Sequence, residues 1–240
     1  MLRATGAWRG RRLLSWPGTG SGPTATKCLI GANLVVFGLA ANAPEPKRNA
    51  WFDNFRQGPE PTLQDKIRSW LPTTDFWDRH WKASWHAVVS CSRFETLPLS
   101  TFMHGDGFHL LFNMFTLFFF GRQLEYTLGV SRYLALYFLS GTVASATQVG
   151  YCGRQQAMTQ VIGASGGVYS LISFTTLLMP HQIVYLYAVV PCPMWLVMCG
   201  IVVADVYLMR PGEAHQGHLA GLGCGMLYYF WLFGRSGLRF

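Results

Sequence analysis

Between Val161 and Met179 the chain runs for nineteen residues without a charge. A helix of about 20 mostly apolar residues crosses the hydrocarbon core of a bilayer. Five further stretches have a similar character: Thr24 to Ala43, Phe108 to Phe120 (extended backwards through "LSTFMHGDG"), Tyr133 to Tyr151, Met194 to Met209 and Gly217 to Phe233. Composition agrees with this reading. Half of the residues are hydrophobic and only 12% are charged, whereas an average soluble domain is about one quarter charged. The expected architecture is an all-α membrane protein with six transmembrane helices.

The segments between these runs divide the chain. Residues 1–23 hold Arg3, Arg9, Arg11 and Arg12, and no acidic residue precedes Glu45. An Arg-rich, acid-poor leader with Ser, Thr and Gly has the pattern of a mitochondrial targeting peptide. The alternative is a basic tail that holds the N-terminus on one side of a membrane. Residues 24–240 then form one domain. Its one long connection, Pro44 to Leu99, carries Trp51, Trp70, Trp77, Trp81 and Trp85 beside prolines and many charges. Trp-rich amphipathic pieces suit the membrane interface, so short helices lying at the surface are expected there. In "HQIVYLYAVVPCP", Pro191 and Pro193 argue against a continuous helix. A short extended apolar segment and a turn are expected instead.

A net charge of +8 raises nucleic acid as a partner. The basic residues are dispersed, however, and no nucleic-acid module or basic stripe is present. Membrane lipids are the expected partner of that charge. The cysteines form no C-x-x-C, and most lie in apolar runs. They read as buried small hydrophobes, and neither a disulfide framework nor a metal site is expected.

Polar groups inside apolar spans are costly and mark functional sites by default. Ser165 lies in "GASGG", which fits G-x-S-x-G, although the same small residues are common where membrane helices touch. The order Ser165, Asp205, His218 is also that of an α/β-hydrolase, but the chain has no alternation of strands and helices to build that fold. His218 stands in "GHLAGLGCG", where Gly217, Gly221 and Gly225 share one helix face. Gly163 and Gly167 offer a matching face, and close approach of the two would bring Ser165 near His218. A serine becomes a nucleophile when a base lies within about 3 Å. His109 and Asn113 are one helical turn apart. They are either an interhelical hydrogen-bonding pair or, with the Ser165 main-chain N–H, donors to an oxyanion. Asp205 is expected to satisfy a polar neighbour inside the bundle in preference to a catalytic role.

Taken in order, "FMHGDGFHLLFN", "GASGGVYS" and "GHLAGLGCG" resemble the motifs of the rhomboid intramembrane serine proteases. The resemblance runs from about Thr24 to Phe233 and implies a six-transmembrane-helix rhomboid bundle with a long interfacial first loop. It implies that Ser165 is the nucleophile and His218 the base, and it favours His218 over His215. It assigns His109, Asn113 and the Ser165 N–H to the oxyanion hole. Tyr169 stands where the family has an aromatic packed on the catalytic histidine. His104 would hold the long loop, and Gly163, Gly166 and Gly221 would be supporting positions. Arg122 and Glu125 resemble the turn after the second span, with an ion pair or main-chain capping as their expected role. The first loop lacks the Trp-Arg pair of many secretory-pathway rhomboids, which fits a mitochondrial member.

The implied function is hydrolysis of peptide bonds in the transmembrane segments of membrane-protein substrates, without cofactor or metal, in the mitochondrial inner membrane. Two other classes compete with this reading. A catalytically silent rhomboid-like protein would bind membrane segments in quality control or translocation. A transporter is opposed by the lack of paired broken helices in two halves.

Overall fold

The computed structural model describes residues 24–45, 62–186, 189–207 and 214–234. The basic leader and Trp51 lie outside the described residues. Helix α1 spans Thr24–Ala41 and buries Thr26, Leu29, Asn33 and Val36 along one stripe. Its outward residues Leu34, Val35 and Leu39 are apolar as well. Among the described residues, α1 is the one helix long and apolar enough by itself to cross a membrane.

The connection that follows contains short helices, α2 (Leu63–Arg68), α3 (Thr74–His80) and α4 (Thr96–Leu99), with a wide π turn at His86–Ser90. Trp77 and Met103 are buried with Val36 of α1, and this contact seats the loop on the bundle. The loop is also tied to the lead-in of the later Ser165 helix. Ala83 and Val161 exchange main-chain hydrogen bonds of 3.2 and 2.7 Å. The Gly163 N–H donates to Ser100 O at 2.9 Å.

Helix α5 spans Gly107–Thr116 and continues through a wide turn, Leu117–Gly121, into α6, Arg122–Leu128. It starts where the Asp106 carboxylate accepts the His109 N–H at 2.9 Å, an N-cap. The expected backward extension of this span through Leu99 to Gly105 is not helical in continuation. The chain turns at Ser100–Phe102 and is extended at Met103. The apolar residues there read as span but serve to seat the loop. Phe108, Phe112, Phe115 and Phe119 stand exposed along the outer side of α5 and the wide turn.

Gly129, at φ +79, breaks the chain between α6 and α7, Val130–Cys152. Helix α8, Ser165–Leu178, is enclosed: Ser165–Val168 and Ser170–Thr176 are all buried. Its neighbours are α7 on one side and α10, His215–Phe233, on the other. Glycines set those spacings. A Cβ on Gly221 of α10 would run into the Gly166 carbonyl, and one on Gly225 into Ser170 and Ser173. One on Gly166 would run into Ala144 of α7. Where main chains touch like this, only a missing side chain permits the distance.

Between α8 and α10 comes the segment with two prolines. It is extended, as expected, but it also pairs with itself. Strands β1 (Ile183–Leu186) and β2 (Val190–Pro193) form an antiparallel hairpin in which Ile183 faces Pro193 and Leu186 faces Val190. Both are edge strands, so the missing N–H groups of Pro191 and Pro193 are tolerated. Helix α9, Met194–Tyr207, follows and buries only Met194 and Asp205 of its own length.

The cysteines are unpaired, and they differ from expectation in burial. Cys152 is buried, whereas Cys28, Cys91 and Cys199 are exposed. An apolar run does not imply burial when the outward faces of helices are apolar too.

Candidate active site

Ser165 is the first residue of α8 and is nearly buried. The chain reaches it from the bridged, extended segment before Gly163. Gly163 has φ +120, which residues with a side chain rarely adopt. A Cβ there would also sit 2.8 Å from the Cε1 and Nε2 atoms of His109. The glycine therefore lets His109 of α5 lie directly against the turn that presents Ser165.

His218 lies in the first turn of α10, one turn before the glycine that touches α8. Its Nε2 is 2.9 Å from Ser165 Oγ. Its Nδ1 is 2.6 Å from Asp205 Oδ1 of α9. An ionised carboxylate only accepts hydrogen bonds, so it pairs with an imidazole protonated on Nδ1. In the neutral ring this leaves the Nε2 lone pair facing the serine hydroxyl. Tyr169, one turn along α8 from Ser165, stacks on the His218 ring with centroids 4.3 Å apart and an interplanar angle of 22°. The turn that carries His218 is itself held by the Gly217 N–H, which donates to Gln148 Oε1 of α7 at 3.0 Å.

His109 and Asn113 share a face of α5, and the Asn113 amide donates to His109 O at 2.8 Å. An amide has a second N–H, which that bond leaves available. His104 is buried and packs edge-on against His109, with centroids 5.0 Å apart. The carboxyl of Asp106, at the start of α5, is held below the usual carboxylate range by the main-chain N–H groups of His109 and Phe108.

Several residues singled out in the sequence are placed elsewhere. His215 meets Gln216 and the ring of Tyr151, away from Ser165. Glu125 of α6 caps α1: its oxygens accept from the N–H groups of Ala25 and Thr26 at 3.0 and 2.8 Å and from the Thr26 hydroxyl at 2.7 Å. Asp205 has the polar neighbour expected of it, although the sequence did not say which one. Its polar neighbour is His218 itself. The order Ser165, Asp205, His218 was a visible signal, but it was tied to a sheet fold that the chain does not have.

A rhomboid domain matches residues 91–235. The chain belongs to the rhomboid family. The match includes every residue of the site just described and leaves α1 outside. Rhomboids are membrane proteins, and the apolar outward faces of α1 and α5 are explained by lipid. Relatives of this rhomboid include Rhomboid-related protein 4 of Rattus norvegicus, 29% identical over 62% of this chain and 51% of the rat protein. Rhomboid protein 1, mitochondrial, of Saccharomyces cerevisiae is 29% identical over 55% of this chain and 40% of its own. RHOMBOID-like protein 12, mitochondrial, of Arabidopsis thaliana is 28% identical over 55% and 43%. The chain thus spans about half the length of the relatives it matches.

Proposed function

We propose that this rhomboid is an intramembrane serine endopeptidase that cleaves transmembrane segments of membrane proteins. The observation that carries the reading is the 2.9 Å contact between His218 Nε2 and Ser165 Oγ. Ser165 attacks the scissile carbonyl carbon while its proton passes to Nε2. The C–N bond breaks, and the proton leaves with the new amine. Water then attacks the acyl ester through the same base, which releases the carboxylate product and restores Ser165. His109, Asn113 and the Ser165 N–H donate to the oxyanion formed in each step. His104 supports His109, Tyr169 holds the plane of His218, and Gly163, Gly166 and Gly221 permit the close packing. No metal or organic cofactor takes part.

The domain comprises residues 24–240 with six transmembrane segments, α1, α5 with α6, α7, α8, α9 and α10. The loop between α1 and α5 lies at the interface. Helix α8 has 14 residues, about 21 Å of length, against a hydrocarbon core of about 30 Å. Its short length supports a serine set below the membrane surface, with the extended lead-in reaching the rest of the way. Substrate helices have every main-chain group satisfied in lipid, so a substrate must unwind locally before attack. The acid-free leader, residues 1–23, and the two relatives named mitochondrial support a targeting role for the leader and residence in the mitochondrial inner membrane.

The test uses purified full-length protein in proteoliposomes with a model transmembrane substrate. Cleavage that is lost in Ser165→Ala and in His218→Ala supports the protease. Equal cleavage by wild type and Ser165→Ala defeats the assignment. A wild-type protein that binds the substrate without cutting it favours the silent, segment-binding alternative.

A further inference from the structure

Helix α9 is apolar along its length and buries two residues, Met194 and Asp205. Asp205 is the only charged residue of the helix. Its side chain is 1% exposed, and His218 Nδ1 lies 2.6 Å from one oxygen. Among the described residues the other oxygen has no partner. A buried carboxylate placed only for its own satisfaction would gather donors on both oxygens. This one directs its charge at a single imidazole nitrogen, at the short distance of a charge-assisted bond.

We propose that Asp205 is a positioning residue that holds His218 in the Nδ1–H tautomer and stabilises the imidazolium formed when Ser165 gives up its proton. This chain would then use three polar groups where the motif resemblance implies two. The inference rests on the protease reading above. It differs from the arrangement on sheet-based hydrolases in one respect: the carboxylate comes from a separate, otherwise apolar helix.

Groups from four helices lie around His218. Asp205 comes from α9 and Tyr169 from α8. His109 of α5 is the nearby titratable group from that helix, and α7 contributes the uncharged Gln148 beside Gly217. Asp205 is therefore the one carboxylate in contact with the ring among the described residues.

The experiment uses the full chain in detergent and needs no natural substrate. First, 15N-histidine NMR of the wild-type protein reads the tautomer directly. Neutral His218 protonated on Nδ1 is expected, and a ring protonated on Nε2 overturns the proposal without any variant. Second, the rate of Ser165 labelling by a fluorophosphonate is followed. Asp205→Asn is expected to label at least about 100-fold more slowly, towards the roughly 10⁴-fold loss known when a triad carboxylate is made an amide. Asp205→Glu should recover part of the rate. Equal rates in wild type and Asp205→Asn overturn the role of Asp205 and leave the two-residue mechanism standing. An inert Ser165 in the wild-type protein overturns the protease reading, and the role of Asp205 in it falls as well.

Discussion

Adding one methyl group at Gly163 would place a carbon 2.8 Å from the His109 ring and force φ +120 on a residue with a side chain. Strain of this kind costs roughly 1–3 kcal/mol and is relieved by moving whatever yields first. Here that is His109 or the Ser165 turn. Gly163→Ala is therefore expected to lower the cleavage rate at least about tenfold while the protein still folds, as thermal unfolding beside a cleavage assay would establish. His109→Ala and Asn113→Ala should each lower kcat by about 10²–10³ with a smaller change in KM, the signature of a lost oxyanion donor. A KM effect alone would make them packing residues. Ser165, His218, His109 and Asn113 stood out in the sequence because they are polar residues in short motifs within apolar runs. The partner of Asp205 did not. A hydrogen bond between α9 and α10 depends on where two helices settle, and no local spacing encodes it. At the start of α5, the lowered Asp106 carboxyl stabilises the helix above the usual carboxylate range and stops doing so as pH falls through its folded-state value.

At the scale of helices, α8 and α10 meet through main chain. Gly221→Val would push a side chain into the Gly166 carbonyl. It should lower the melting temperature and abolish labelling of Ser165 together, since separating the helices separates His218 from the serine. Gly223 provides the control. Nothing lies within 4 Å of a Cβ there, so Gly223→Ala should leave activity intact and raise stability by up to about 1 kcal/mol through helix propensity. Glu125→Gln tests the cap of α1. It leaves donors of Ala25 and Thr26 with a weaker acceptor and should cost about 1–3 kcal/mol without changing the pH dependence of labelling. The main helices were readable from apolar runs, although their ends were not. Leu99, Phe102 and Met103 are apolar and adjoin a helix, yet the chain turns there because this stretch seats the loop on α7 and α1. The β1–β2 hairpin escaped notice as a hairpin because an apolar extended segment announces neither its partner nor its register.

At the scale of the molecule, we propose that the basic leader holds the N-terminus in the mitochondrial matrix. A tag at that end should resist external protease in mitoplasts and be digested once the inner membrane is opened. Digestion in intact mitoplasts would reverse the orientation, and with it the compartment that the site faces. The enclosure of α8 bears on how the protein is made. Ser165 belongs to a helix with neighbours on nearly every side, and its proposed base arrives with α10, the last described helix. During synthesis the serine enters the membrane more than fifty residues before His218. A nascent or truncated chain therefore carries the nucleophile without the means to activate it. In the proposed mechanism the order of the helices along the chain acts as a safety catch, because cutting waits until α10 is home.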